Sequence, residues 1–410
     1  MPRAHYLMFF AGLALPALAQ NPTTRHPPPH HPTPQHPTPH HPTPHHPTPQ
    51  HPTTRHPPPH HPTPRHPTPQ HPTPRHPPPP ASDRLLVCNQ AEDTLSIIAV
   101  SERRELAVLK TGSGPHEVAV APNGRTAVVT NYGNHEPGHT LTIIEVTSAR
   151  VRSTVDLTPP GADDQRYLRP SGVRFVSDEQ VLVTSETART LLRVNIQTGD
   201  VEEAWLTQQP AMHMVAASRN EAVAAATSLT DGTVAFFDLR ASHHQPHRPI
   251  KIGGRAEGVA LHPITADAWV CDRNNNTLSI VSPKTGKVEA TLETGSQPFR
   301  VVFTPDGKHV LVTCTDSGEL QIFDAEERTL VREVSMHGDR SEHSSMPRAV
   351  ACGPDQRYAY VACSRGEFVA VVDLEAGEYI DRIDTRRGPD GIAYARPAAT
   401  PKASEAELRR

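Results

Sequence analysis

Apolar positions downstream of residue 83 fall into short runs separated by polar turns, and these runs recur along the chain. The recurring unit is a Pro-x-x-Val pattern, then a polar turn, then a second apolar run. Seven apolar anchors mark it: Val118, Val173, Val215, Val259, Val301, Val350 and Ile392. Successive anchors lie 55, 42, 44, 42, 49 and 42 residues apart, so the base period is 42 residues. A fixed period of this length is the signature of a repeat protein.

Each period contains four runs with β-strand character. After the anchor at Val301, these runs cover residues 301–303, 310–313, 320–323 and 329–331. The apolar spacing of three and four residues that a helical repeat needs does not recur. Short β runs, regular turns and a period near 42 residues are typical of four-stranded propeller blades.

The two ends of the repeat region complement each other. Residues 85–88, 94–100 and 105–109 supply three strands before the first anchor, and residues 391–394 supply one strand at the end. Together they make one blade, which closes the ring and leaves no open sheet edge. With six complete blades between these ends, the sequence predicts an all-β, seven-bladed propeller over residues 83–397.

Several blades carry a short motif at the end of the second strand and a turn before it. Val129-Thr130-Asn131 and Val87-Cys88-Asn89 are two instances of the motif, and Pro122-Asn123-Gly124 and Pro305-Asp306-Gly307 are two of the turn. Over residues 84–396 the chain resembles the YVTN-repeat β-propellers, a WD40-like family. The resemblance implies an exported seven-bladed propeller and leaves the activity open, since members differ in function. No blade carries the full four-letter motif.

A different composition precedes the repeats. Between residues 21 and 80 lie 26 of the 46 prolines and 15 of the 27 histidines. Proline removes backbone donors and excludes helix and sheet, so we expect residues 20–82 to form a disordered, polyproline II-like arm. Such an arm acts as a spacer, and its imidazoles also suit weak capture of Zn, Cu or Ni. We expect residues 398–410 to form a flexible tail.

The start of the chain indicates export. An apolar run over residues 6–19 ends in Ala17-Leu18-Ala19, which is typical of a signal peptide cleaved after Ala19. We therefore expect a periplasmic or extracellular protein. The run is short for a membrane span, and no later segment is predicted to cross a bilayer. A net charge of −4 gives no electrostatic argument for nucleic-acid binding.

The five cysteines form no CxxC pair. Four of them fall in equivalent strands of separate repeats: Cys88, Cys271, Cys314 and Cys363. We expect these four to be small buried hydrophobic residues rather than disulfide partners or metal ligands.

Candidate chemistry gathers where the innermost strand of each blade begins. The residues two before the anchors should ring one mouth of the channel: Asp390, His116, Ser171, His213, Glu257, Phe299 and Arg348. One interpretation is a satisfied polar ring, with an Arg348–Asp390–His116 group and a His213–Glu257 pair. The other is a ligand site, for which the candidates are His116, Glu117, His213, Glu257, Arg348 and Asp390.

Two loops on the same face carry metal-ligating residue types. The loop of the second blade spells His-Glu-x-x-His over residues 135–139, with candidate ligands His135, Glu136 and His139. Pro137-Gly138 prevents the helix that a zinc-protease motif requires. The loop before the seventh blade offers His337, Asp339, Glu342 and His343. These loops flank His116, Arg348 and Asp390, which predicts a metal or anion site there.

These observations leave two functions open. The first is a monomeric binding or scaffold module for a protein or small-molecule partner, carried on its arm. The second is an enzyme with its site at the channel mouth, such as a lactonase-like hydrolase, or an accessory of a redox system, because both occur on seven-bladed propellers. An enzyme should show His116, Glu117, Arg348 and Asp390 converging on a pocket, whereas a scaffold should show them paired.

Overall fold

A computed structural model describes residues 79–159, 161, 166–241, 248–336 and 345–398. These residues form seven antiparallel sheets of four strands, each a propeller blade. The strands are β1 (Arg84–Asn89), β2 (Thr94–Ala99), β3 (Arg104–Lys110), β4 (Pro115–Val120), β5 (Thr126–Asn131), β6 (Thr140–Glu145), β7 (Arg150–Asp156), β8 (Pro170–Phe175), β9 (Gln180–Ser185), β10 (Thr190–Asn195), β11 (Val201–Leu206), β12 (Met212–Ala217), β13 (Val223–Ser228), β14 (Thr233–Asp238), β15 (Ile250–Lys251), β16 (Ala256–Leu261), β17 (Ala268–Asp272), β18 (Thr277–Ser282), β19 (Lys287–Glu293), β20 (Pro298–Phe303), β21 (His309–Cys314), β22 (Glu319–Asp324), β23 (Thr329–Ser335), β24 (Pro347–Cys352), β25 (Tyr358–Cys363), β26 (Phe368–Asp373), β27 (Glu378–Asp384) and β28 (Pro389–Ala395).

The ring closes as the sequence predicts. Strand β28 pairs antiparallel with β1, with Tyr394 opposite Leu85 and Ile392 opposite Val87. Blade one therefore has the order β28-β1-β2-β3, and blades two to seven follow as consecutive groups of four strands. Its innermost strand comes from the C-terminal end of the repeats, which removes the sheet edge that an open ring would expose.

The core lies between neighbouring blades. Second and third strands are almost fully buried, as in β1, β5 and β26, while outer strands such as β7 and β23 are largely exposed. Clusters of branched aliphatic residues fill each gap between blades, for example around Val183 and Leu192. Cys88, Cys271, Cys314 and Cys363 are buried free thiols within this packing, as expected.

Each innermost strand begins with an irregular register against the second strand. In blades two, three, four and six a threonine bridges this irregularity: Thr130, Thr184, Thr227 and Thr313. Thr227, for example, accepts from the Met214 backbone N–H at 3.1 Å and donates to the Glu257 carbonyl of the next blade at 2.8 Å. The threonine of the recurring motif is thus a link between blades.

The signal segment predicted over residues 1–19, the arm over 20–82 and the tail over 398–410 lie outside the described residues, except for residues 79–82 and 398. Among the residues that are described, no helix has the length and apolar character to cross a membrane.

Candidate functional site

Each of the seven residues two positions before the anchors is the second residue of an innermost strand. Six of them are buried, and the side chain of Arg348 is 25% exposed. Asp390, His116, Ser171, His213, Glu257, Phe299 and Arg348 are called the mouth ring below.

His213 is held from both sides within this ring. Its Nδ1 lies 2.8 Å from the Ser171 hydroxyl, and its Nε2 lies 2.9 Å from Glu257. Arg273 donates to the other oxygen of Glu257 at 3.1 Å. Burial opposes ionisation of Glu257, but the charges and hydrogen bonds of His213 and Arg273 outweigh it and lower the pKa to about 2. Glu257 is therefore a buried carboxylate at neutral pH.

Asp390 joins the other half of the ring. Arg348 donates to Asp390 at 3.4 Å, and His116 Nε2 lies 4.0 Å from the second carboxylate oxygen. Burial lowers the pKa of His116 to about 4, although Asp390 opposes this shift. His116 is thus a neutral imidazole at pH 7, and its buried Nδ1 has no hydrogen-bond partner among the described residues. The expected His213–Glu257 and Arg348–Asp390 pairs are therefore present, whereas the imidazole of His116 and the second oxygen of Asp390 make no hydrogen bond with the described residues.

The mouth also contains residues that the anchor spacing did not indicate. Arg273 and Arg348 both lie against the ring of Phe299, at 4.9 and 5.4 Å from its centroid. Tyr132 contacts the His116 ring and donates to Glu186 at 2.6 Å. Tyr132, Glu186 and Arg273 each begin the loop after a second strand, one residue beyond the recurring motif. Their shared position, directly after the recurring motif, is the sequence signal that could have located these three residues.

Directly below the mouth ring, an ion pair crosses the channel. Glu117 of blade two and Arg300 of blade six approach to 2.6 Å, from nearly opposite sides of the seven-membered ring. Burial raises the pKa of Glu117 even though Arg300 opposes the shift. Small residues share this layer, and a Cβ at Gly391 would lie 2.6 Å from the His116 carbonyl. The pair, called the plug below, divides the channel into two unlike halves.

The half beyond the plug holds a cavity of about 390 Å³. Its walls are the anchors, the residues that follow them and the turns between first and second strands, and no mouth-ring residue lines it. Of the ligand candidates named from the sequence, Glu117 alone borders this cavity. We call it the funnel. The sequence directed attention to the other mouth, because polar side chains are concentrated there.

The structure describes one of the two loops of the predicted metal site. His135 and Glu136 are exposed in the loop between β5 and β6, and His139 lies 3.6 Å from Asp156. The segment is a loop and not a helix, as Pro137-Gly138 indicates. Within the described ranges, no three His, Cys, Asp or Glu side chains gather as metal ligands. His337, Asp339, Glu342 and His343 fall in residues 337–344, outside those ranges.

Comparisons with known proteins agree on the architecture. The family described as "Lactonase, 7-bladed beta-propeller" matches residues 207–400, which contain blades four to seven and the closing strand. No curated protein matches the chain. One similar structure is a functionally unknown protein from Desulfotomaculum acetoxidans DSM 771, with 15% identity and a TM-score of 0.62, covering 77% of this chain and 99% of that one.

A second similar structure is the Kuenenia stuttgartiensis hydrazine synthase. It shares 15% identity at a TM-score of 0.58, covering 68% of this chain and 89% of that one. At this identity both structures show the fold alone. The chain is a seven-bladed β-propeller, and its function has to be argued from its own side chains.

Proposed function

We propose that this protein is an exported binding propeller that takes a small, oxygen-rich ligand at the mouth ring. The observation that carries this is the pair of partly exposed side chains of Arg273 and Arg348, whose guanidinium groups both lie against the ring of Phe299. Their side chains are 26% and 25% exposed. Buried carboxylates hold both in place, so each offers donors that are already oriented.

Binding fits this mouth better than catalysis does. Glu257 is bound to His213 and Arg273, and Asp390 to Arg348, so neither carboxylate is a free base. The neutral His116 adds a buried ring nitrogen with open hydrogen-bonding capacity. Arginine forks and a neutral imidazole match carboxylate and hydroxyl oxygens of a ligand.

Isothermal titration with hydroxy acids and sugar acids, gluconate first among them, tests this function. We expect measurable binding to the full chain. Arg348→Gln should weaken the affinity about tenfold, because it removes one charged hydrogen-bond donor. Arg255→Gln is the matched control, because Arg255 is exposed directly before β16 and makes none of these contacts. The same affinity in both variants would remove Arg348 from the site.

One observation favours a second function, a lactonase-like hydrolase. Glu257 lies 2.9 Å from Nε2 of His213, and the Ser171 hydroxyl lies 2.8 Å from Nδ1; in the tautomer with its proton on Nε2, Nδ1 accepts from this hydroxyl. A hydroxyl, an imidazole and a carboxylate linked in this order form the arrangement that activates a serine. The matched lactonase family adds support, whereas the complete burial of Ser171 weighs against it.

Base consumption during δ-gluconolactone hydrolysis separates the two functions. A binding propeller leaves the rate at that of buffer alone. A hydrolase raises it, and Ser171→Ala and His213→Gln each abolish the increase, while Arg174→Ala, at the other end of the channel, retains it.

We further propose that the His/Pro-rich arm acts as a spacer and collects transition metals weakly. Titration of Zn, Cu and Ni into the full chain and into a chain lacking residues 20–82 tests this. Several weak sites should vanish with the arm. Equal metal uptake by both chains would contradict it.

A further inference from the structure

The funnel walls contain one residue that breaks their pattern. At the position after each anchor, five blades carry alanine and one carries valine, and the seventh residue of this layer is Arg174. The apolar members are Ala119, Ala216, Ala260, Val302, Ala351 and Ala393. All seven line the funnel. A cation therefore stands alone in a ring of small apolar side chains.

Arg174 projects into open space. It is the one exposed residue among all residues of the seven innermost strands, which the structure describes in full. Its guanidinium makes no hydrogen bond or ion pair with the described residues. Partial desolvation by the funnel walls and the nearby charge of Arg219 lower the pKa of Arg174, although its side chain keeps contact with solvent. Arginine stays protonated under such shifts, so the funnel holds a cation without a counterion.

Arg219 places a second cation at the end of the funnel away from the plug. It lies in the turn after β12 and donates to the carbonyl of Pro305 across the opening. The titratable group beside it is His262, whose pKa is lowered by burial and by Arg219, against Asp267. Glu117 is the one carboxylate in the described lining, and Arg300 occupies it. The funnel thus has a net positive charge.

We propose that the funnel is a binding site for an organic monoanion with an apolar body, such as a medium-chain carboxylate. The apolar part fits among the valine and isoleucine anchors, and the carboxylate meets Arg174 and Arg219. A volume of about 390 Å³ lies within the range of small-molecule pockets. A bidentate guanidinium–carboxylate pair would supply the missing counterion.

The walls decide between this ligand and a more hydrophilic anion. Inorganic phosphate or a sugar acid would place unpaired oxygens against the aliphatic anchors, which is costly. An uncharged chain of the same length would leave Arg174 without a partner. The funnel therefore selects a ligand with one charged end, and the mouth ring, with its paired charges, selects a different one.

Isothermal titration of decanoate into the full chain tests the site, at concentrations below micelle formation. We expect one site per chain, and binding at least about tenfold weaker for decanol, which lacks the charge. Inorganic phosphate should give no heat. Arg174→Ala should weaken decanoate about tenfold or more and leave decanol unchanged, because the loss concerns the ion pair alone.

Two features keep this test decisive. Alanine already occupies the Arg174 position in five other blades, so Arg174→Ala fits the fold, and its melting temperature verifies this. Arg255→Gln, near the opposite mouth, is the matched control and should bind decanoate as the natural chain does. Equal affinity for decanoate and decanol, or undiminished binding by Arg174→Ala, overturns the site. Neither result bears on gluconate binding at the mouth ring, which uses other residues.

Discussion

The two ends of the channel differ in how their charged side chains are paired. At the mouth ring every described carboxylate has a cationic or imidazole partner, as Glu257 has His213 and Arg273. In the funnel, Arg174 and Arg219 are near enough to repel each other, and neither has an acidic partner among the described residues. The plug of Glu117 and Arg300 separates these two environments.

This difference indicates which charges are neutralised within the protein and which charge a bound ligand would neutralise. At the mouth ring, the carboxylates hold the donors of Arg273 and Arg348 in place. Removing one member of such a pair leaves its buried partner unpaired. An unpaired cation costs stability and is retained where something else neutralises it. Removing a charge should therefore have opposite signs at the two ends, and the following predictions test that contrast.

The largest effect is expected at the plug. Glu117→Met leaves Arg300 buried and charged, because arginine cannot release its proton, and should cost about 4 kcal/mol of unfolding free energy. Arg300→Met should cost less, because Glu117, whose pKa is already raised by burial, can take up a proton instead. Urea unfolding of both variants at pH 7 measures the asymmetry.

The double variant Glu117→Met/Arg300→Met is the control for this asymmetry. It removes both charges and should recover much of the loss, since Met214 already stands in the same layer. The Arg300→Met penalty should shrink as the pH falls and Glu117 protonates more readily. Equal penalties for the two single variants at every pH would show that the plug is not a desolvated ion pair.

The second effect is a pH dependence that comes from the mouth ring. An unfolded chain protonates His116 near pH 6.5, whereas burial holds its folded pKa at about 4. Between these values the unfolded state binds more protons, so stability is complete above pH 6.5 and falls by about 3 kcal/mol as the pH drops to 4. Glu257, with its pKa of about 2, adds a further loss below pH 4.5.

Thermal unfolding between pH 8 and pH 4 checks this dependence. His116→Gln should flatten the profile between pH 6.5 and 4, because it removes the group that titrates there. His309→Gln is the matched control on β21 and should retain the slope. A profile that is unchanged by His116→Gln would mean that His116 takes up its proton at the same pH in the folded and the unfolded chain.

The fold was predictable because its rules are local and repeat seven times. The anchors fixed the innermost strands, and the closing pair of β28 with β1 followed from counting the strands at each end. The mouth ring was predictable for the same reason, since a position relative to an anchor sets a layer of the channel.

The plug and the funnel were harder to predict. The contact between Glu117 and Arg300 joins blades two and six, and no local pattern indicates which residues of a layer meet across the channel. Arg174 was visible in the sequence as one arginine among alanines and a valine. Its meaning depended on the cavity beside it, which is set by side-chain packing.

A third prediction concerns the threonine links, which bind the blades together at the mouth end. Thr227→Val should lower the free energy of unfolding by about 2 kcal/mol. It leaves the Met214 N–H without its acceptor and removes the hydrogen bond to the Glu257 carbonyl. Thr329→Val, at an exposed position on β23, is the matched control and should change little. Urea unfolding measures both, and equal effects would show that the link carries no stability of its own.

The smallest effect reverses the sign and completes the contrast. Arg174→Ala removes a cation that has no acid partner and is repelled by Arg219, so the chain should become more stable by about 0.5 kcal/mol at low salt. The gain should shrink in high salt, because like-charge repulsion is screened. Saturating decanoate should reverse the order, since it stabilises the natural chain more than the variant, which binds it more weakly. If Arg174→Ala instead destabilises the chain by 1 kcal/mol or more, roughly the worth of a hydrogen bond, Arg174 serves the fold and the funnel is not a ligand site.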